Sequence, residues 1–178
     1  VLVTGAAGGV GSVAVSLLSS LGYEVHASTG RMASQAQFLK SLGATELIAR
    51  ETLARAAKPL EKEYWAGAID TVGSTTLASA LAQTRREGVV AACGLAGGMD
   101  LPSSVAPFIL RGVTLRGIDS VMASQSRREA AWQRLADILD LNHLEEMSET
   151  VAMSALIQMG HKIVDGDIRG RVVVNVNQ

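Results

Sequence analysis

The run Val3-Thr4-Gly5-Ala6-Ala7-Gly8-Gly9-Val10-Gly11-Ser12 constrains the fold more than any other feature of the chain. It follows a short apolar strand pattern, Val1 to Thr4, and opens a helical pattern that continues to Leu21. Glycines there permit a tight turn and a close backbone approach to a ligand. The unpaired amides and positive dipole of a helix N-terminus attract negative charge. A pyrophosphate suits such a loop, with Gly8, Gly9 and Gly11 as its binding glycines and Ala7 and Val10 contributing main chain. The alternative is a glycine turn that serves only close helix–strand packing. No Gly-Lys-Ser/Thr follows, so the phosphate-gripping lysine and metal-binding hydroxyl of a nucleotide triphosphatase are missing. A dinucleotide fits better than a triphosphate.

The rest of the chain repeats the strand–helix alternation expected of parallel strands joined by crossover helices. Further strands are expected at Glu24 to Ser28, Glu46 to Ile48, Ala68 to Val72, Gly88 to Cys93 and Thr114 to Ile118. Helices are expected at Ala33 to Leu42, Thr75 to Thr84 and Ala106 to Leu110. Right-handed crossovers then predict an α/β, doubly wound, six-stranded parallel Rossmann sheet of order 3-2-1-4-5-6, with its ligand crevice at the strands' carboxyl ends. After Asp119 the pattern changes to two amphipathic helices, Ser126 to Leu141 and Ser154 to Val164. A seventh strand, Arg171 to Val176, has no evident partner. We expect a nucleotide-binding domain over residues 1–124 and a C-terminal helical segment with a final strand over residues 125–178.

Composition narrows the function. Sixteen basic and 17 acidic residues give a net charge of −1 without a long run of either sign, which argues against nucleic acid as a partner. No apolar run approaches the ~20 residues that span a bilayer, so no membrane partner is expected. A single cysteine, Cys93, excludes an internal disulfide and a cysteine-rich zinc site, and favours a reducing, cytoplasmic setting. An apolar strand at Val1, with neither an initiator methionine nor a charged leader, reads as a cut inside a longer protein.

The end of the second strand indicates which dinucleotide. Sites for NADH place an Asp or Glu there, to accept hydrogen bonds from the ribose 2′-hydroxyl. This chain reads Ala27-Ser28-Thr29-Gly30-Arg31. A carboxylate would repel a 2′-phosphate, whereas the hydroxyls of Ser28 and Thr29, the Gly30 amide and the Arg31 fork would bind one through charge-assisted hydrogen bonds. NADPH is therefore the expected cofactor, and an FAD ribose is disfavoured by the same substitution. Thr29 as a helix cap and Arg31 as a solvated surface residue form the alternative. Arg50, after the third strand, is a second candidate for the phosphate, with an exposed loop arginine as the competing reading.

The glycine spacing also satisfies the short-chain dehydrogenase pattern, but those enzymes need a Tyr-x-x-x-Lys pair for proton transfer. Tyr23 and Tyr64 are followed four residues on by Ala27 and Ala68. A different likeness rests on Ser28 to Arg31, Leu39-Lys-Ser-Leu-Gly-Ala44, Trp65 to Gly73, Ala91 to Gly98, Pro107 to Gly112 and Gly117 to Met122. Over nearly its whole length the chain resembles the zinc-independent medium-chain dehydrogenase/reductases, and within them the quinone-oxidoreductase-like acryloyl-CoA reductase type.

That resemblance implies NADPH-dependent reduction of the activated double bond of acryloyl-CoA to propionyl-CoA. Enone or quinone reduction is the close rival, and a non-catalytic NADPH-binding module is a third reading. It also implies that Cys93, Gly94, Leu95 and the Phe108-Ile109-Leu110 segment line the nicotinamide end of the site. A GroES-like substrate domain would precede the first strand, the final strand would return to it, and the exposed sixth-strand edge would pair in a homodimer. We expect no catalytic residue and no metal ligand within the chain, and no activity from it alone. His26, His143 and His161 lack metal-ligand spacing. Asp70 reads as a strand-ending acceptor of loop amides, and Cys93 reads as a small buried hydrophobe before any redox role.

Overall fold

A computed structural model describes residues 1–178. Its main sheet holds strands β1 (Leu2–Val3), β2 (His26–Thr29), β3 (Glu46–Ala49), β4 (Trp65–Asp70), β5 (Thr84–Ala92) and β6 (Thr114–Gly117). They lie in the order β3-β2-β1-β4-β5-β6, all parallel, as the sequence predicts. Helices α1 (Gly9–Ser20), α2 (Met32–Ser41), α3 (Arg50–Leu53), α4 (Ser74–Gln83) and α5 (Ala106–Arg111) supply the crossovers.

Leu2 and Val3 explain why β1 is central. Successive strand side chains point to opposite faces, and both residues are fully buried. Val3 joins Val15, Val25, Phe38, Leu39 and Leu42 on one face, whereas Leu2 joins Leu53, Trp65, Leu81 and Val90 on the other. Small residues in α1 and α4 let these helices sit close to the sheet, and apart from Phe38 and Trp65 the two cores are aliphatic.

Several boundaries differ from expectation. β4 begins at Trp65, three residues before the expected Ala68, and ends at Asp70, because Thr71 and Val72 leave the sheet to build a loop. β5 begins at Thr84, and its pairing with β4 shifts register between Trp65 and Gly67. α3 was not expected.

The C-terminal segment carries the main correction. It contains α6 (Gln125–Ile138), α7 (Leu141–Glu146), β7 (Ser148–Ala152), a 3-10 turn at Met153–Ala155, α8 (Leu156–Val164) and β8 (Arg171–Asn175). The final strand is not left without a partner: β7 pairs with it in parallel, from Ser148↔Arg171 to Ala152↔Asn175. Ser148-Glu-Thr-Val-Ala152 follows a helix directly, without glycine or proline punctuation, and alternates only weakly, so its strand character is muted in the sequence. Met147, fully buried, plugs the segment into the core beside α1 and α2. Ser16 Oγ with His143 Nδ1 at 2.8 Å, and Ser41 Oγ donating to Glu146 Oε2 at 2.9 Å, fasten α7 to the same two helices. No helix is long and apolar enough to cross a membrane.

Candidate functional site

A cleft of about 390 Å³ opens at the carboxyl ends of β1, β2 and β4. Its floor comes from Thr4, Gly5, Ala7 and Gly8 of the glycine loop and from the Thr71–Thr76 stretch that enters α4. One wall carries Ser28, Thr29, Arg31 and Arg50, and the opposite rim carries Gly166 and Ile168 from the α8–β8 loop. Arg31 and Arg50 are the charged side chains of the lining, and it contains no carboxylate. Gly8 caps α1 without a side-chain hydrogen bond, and the first turn holds no acidic residue. The amides at that helix start have no intrahelical acceptors, so dipole and arginines together make the cleft electropositive.

A larger recess of about 750 Å³ lies at the amino ends of the strands, around Glu24, His26, Glu46 and Trp65. Its polar groups are engaged with one another: His26 sits 3.2 Å from Glu24 and 3.0 Å from Glu46, and Arg55 pairs with Glu61. It lacks the glycine loop, and open parallel sheets bind ligands at the opposite ends of their strands. The smaller cleft is the candidate site.

Six of the residues singled out from the sequence line this cleft: Ala7, Gly8, Ser28, Thr29, Arg31 and Arg50. Gly30 is exposed and carries Arg50, since a Cβ there would come within 2.6 Å of the Arg50 Cζ. Gly11 faces the Gly5–Ala6 turn and is not among the residues lining the cleft. A Cβ at Gly11 would lie 2.7 Å from Ala6 Cα, so this glycine lets the start of α1 close onto the turn that follows β1. Gly9 packs 3.2 Å, measured from an added Cβ, from the Gly170 carbonyl, and Val10 is exposed.

The nicotinamide-end candidates are not gathered around the cleft. Cys93 is half-buried and its thiol donates to the Asp70 carbonyl at 3.3 Å. Burial first, and the nearby Asp70 charge second, push that thiol's pKa up, which disfavours a thiolate. Gly94 packs on the Thr71 backbone, while Leu95 and Ile109 are exposed.

Beneath the floor, Asp70 is fully buried. It accepts from Thr4 Oγ1 at 2.7 Å and from the Gly73 amide at 2.8 Å. The Thr71 amide donates to Thr4 Oγ1 and the Thr71 hydroxyl to the Thr4 carbonyl. Beyond them the Gly97 amide donates to the Val72 carbonyl at 2.7 Å. Asp70 thus stitches the loops after β1 and β4, with the loop after β5 tied on behind. Burial pushes its carboxyl pKa up, against hydrogen bonds that pull it down.

The sequence reading missed Thr4, Gly5, the Thr71–Thr76 stretch and Ala96–Gly97. Their signal was available, because each follows the carboxyl end of a strand. Gly166 and Ile168 carried no local signal.

Together these features define a dinucleotide-binding α/β protein, and the chain belongs to the zinc-binding dehydrogenase family, whose pattern matches residues 9–137. No group of three or more His, Cys, Asp or Glu side chains is placed to hold a metal ion, so the residues present do not fit a zinc site.

The chain is 52% identical, over 99% of its length, to the acrylyl-CoA reductase AcuI of Ruegeria pomeroyi, of which it covers 54%. It is 45% identical, again over 99% of its length, to the putative quinone oxidoreductase YhfP of Bacillus subtilis, also covering 54%. Among solved structures, Escherichia coli K-12 YhdH with bound NADPH superposes with a TM-score of 0.95 at 50% identity, over 99% of this chain and 54% of that one. The chain therefore spans about half the length of the relatives it matches.

Proposed function

We propose that this chain is the NADPH-binding part of an oxidoreductase that reduces the activated C=C bond of acryloyl-CoA to propionyl-CoA. The observation that carries this reading is the cleft's charge: two arginines and no carboxylate beside the glycine-rich start of α1. A neutral ligand has no need of such a lining, whereas a pyrophosphate and a 2′-phosphate use both halves of it. Ala7, Gly8 and the first amides of α1 would hold the pyrophosphate. Ser28, Thr29, Arg31 and Arg50 would hold the phosphorylated ribose. The bound cofactor would supply a hydride for the β-carbon of the substrate, with a proton added at the α-carbon. The chain's own share is binding, orientation and exclusion of water, so catalytic groups are expected outside it.

Cys93, Gly94, Leu95 and Ile109 remain our candidates for the nicotinamide end, where the longer protein would complete an apolar wall. We read residues 1–124 as the cofactor-binding domain and residues 125–178 as the segment directed toward the rest of a cytoplasmic, homodimeric enzyme. The outer edge of β6 is its pairing surface. Quinone or enone reduction is the second reading, favoured by the likeness to YhfP.

The test is a fluorescence titration of the chain with NADPH and NADH, beside turnover of acryloyl-CoA and of a quinone by the longer protein. Tighter binding of NADPH, with acryloyl-CoA the better substrate, supports the proposal. Equal affinity for the two cofactors overturns the NADPH assignment, and preferential quinone turnover overturns the substrate.

A further inference from the structure

Arg31 is unusual in what holds it. It is half-buried at the cleft, and it makes none of the chain's ion pairs. Instead its Nη2 donates to the carbonyl of Ile168 at 2.8 Å, across 137 residues of sequence. A neutral carbonyl orients the guanidinium without neutralising it. Of the five N–H donors of an arginine, four stay available with full charge. A carboxylate in the same place would orient the side chain equally well and cancel the attraction for an anion.

The α8–β8 loop that offers this carbonyl is held at both ends and in the middle. The Asp167 amide donates to the Lys162 carbonyl at 2.8 Å, and the Gly170 amide donates to the Ala7 carbonyl of the glycine loop at 2.9 Å. Between them the Arg169 guanidinium lies 4.6 Å from the centroid of the Phe38 ring. Gly166 and Ile168 line the cleft itself. One loop from the C-terminal segment therefore touches the phosphate wall through Arg31 and the glycine loop through Ala7.

We infer that the Gly166–Gly170 loop is a specificity-determining part of the cofactor site: it positions Arg31 for a 2′-phosphate, and occupation of that phosphate site in turn orders the loop. The inference rests on the NADPH reading above. Positioning matters because an arginine loses much rotamer freedom when it is fixed on a ligand, and the Ile168 carbonyl fixes it beforehand. Linkage makes the effect reciprocal: whatever factor the ordered loop contributes to phosphate affinity, the phosphate contributes to loop order. A cofactor without the 2′-phosphate fills the same cleft but leaves the Arg31 fork disengaged.

Amide hydrogen exchange of the wild-type chain, alone and saturated with NADPH or NADH, tests this. Exchange across residues 166–170 is expected to slow at least fivefold with NADPH and less than twofold with NADH. Arg169→Ala, which releases the loop from Phe38 outside the cleft, is expected to weaken NADPH about tenfold and NADH less than twofold. Equal protection by both cofactors, or tight and selective NADPH binding with loop exchange unchanged, overturns the inference and leaves the NADPH reading standing. Equal affinity of the wild-type chain for both cofactors removes the reading and the inference together.

Discussion

The Arg50 guanidinium lies flat against Gly30: a Cβ on Gly30 would stand 2.6 Å from its Cζ and 2.7 Å from its Nε. The β2–β3 register sets up this contact, because Thr29 pairs with Ala49 and the two following residues emerge side by side. Arg50 thereby joins Arg31 on one wall of the cleft although 18 residues of sequence lie between the two. Gly30→Ala should push Arg50 aside, and Arg50→Ala should remove it. Each is expected to weaken NADPH by about tenfold, the worth of one charge-assisted hydrogen bond, and to leave NADH nearly unchanged. Calorimetric titration of both variants decides it, and unaltered NADPH affinity in the two would detach Arg50 from the phosphate.

Glycines Gly11 and Gly160 should respond to alanine in opposite directions. A Cβ at Gly11 would meet main chain, 2.7 Å from Ala6 Cα and 2.8 Å from the Gly5 carbonyl carbon. Backbone cannot swing away as a side chain can, so α1 must shift off the Gly5–Ala6 turn at a cost of about 2–3 kcal/mol. Gly160, within α8, has nothing within 4 Å of its added Cβ. Alanine there should stabilise by about 0.5–1 kcal/mol, through helix propensity and a less flexible unfolded chain. Urea unfolding measures both.

Asp70→Asn should cost stability by an amount that depends on pH. An amide nitrogen facing Thr4 Oγ1 or the Gly73 amide, both of which donate to Asp70, leaves a buried donor without an acceptor, at about 1–3 kcal/mol. The wild-type carboxyl has a raised pKa in the fold, so between its unfolded and folded values the native state holds the extra proton. Its contribution is fully present below the ordinary 3.8 and declines as pH rises through the raised folded value. Asparagine has no such dependence. The stability gap between wild type and variant is therefore expected to be wider at pH 4 than at pH 7.5, and a gap that narrows on acidification would contradict the account.

How much of this was legible in the sequence follows from the range of each interaction. The six-stranded order was readable because short β-branched or apolar runs alternate with helical stretches and are bounded by glycine or polar residues, and the crossover rule has one dominant hand. Ala7, Gly8, Ser28 and Thr29 were readable because a fixed offset from a strand end places them at the crevice. Gly11 and Gly30 were placed in the right neighbourhood, but what an added Cβ at each would meet, the Gly5–Ala6 turn and the Arg50 guanidinium, depends on packing that their sequence offset does not display. β7 escaped because Glu149 and Thr150 dilute its apolar pattern. Ile168 was beyond reach, since its partner Arg31 lies 137 residues away and a backbone carbonyl carries no identity that a sequence can display.

The stability of the segment leading into β4 should fail in acid through one carboxylate. Glu61 accepts from Arg55 Nη1 at 2.8 Å and Nη2 at 2.6 Å, from Gln83 Nε2 at 2.9 Å and from the Lys58 amide at 3.0 Å. The Arg55 hydrogen bonds are the main cause of a pKa lowered from 4.5 to about 2, with the Lys58 amide and Gln83 adding to it against the opposing effect of burial. Arg55 is 43% exposed on its side chain, so solvent screens the pair and its worth is about 1 kcal/mol or less rather than the full shift. A depressed folded pKa means that the unfolded chain binds the proton first. The contribution is complete above 4.5, shrinks as pH falls below it, and vanishes near 2. Glu61→Gln keeps the shape and the Lys58 contact but loses the charge. It should therefore unfold at a lower denaturant midpoint than wild type at pH 7, with the two midpoints converging between pH 4.5 and pH 2. A separation as large at pH 3 as at pH 7 would mean that the Arg55 fork contributes nothing through the ionised carboxylate.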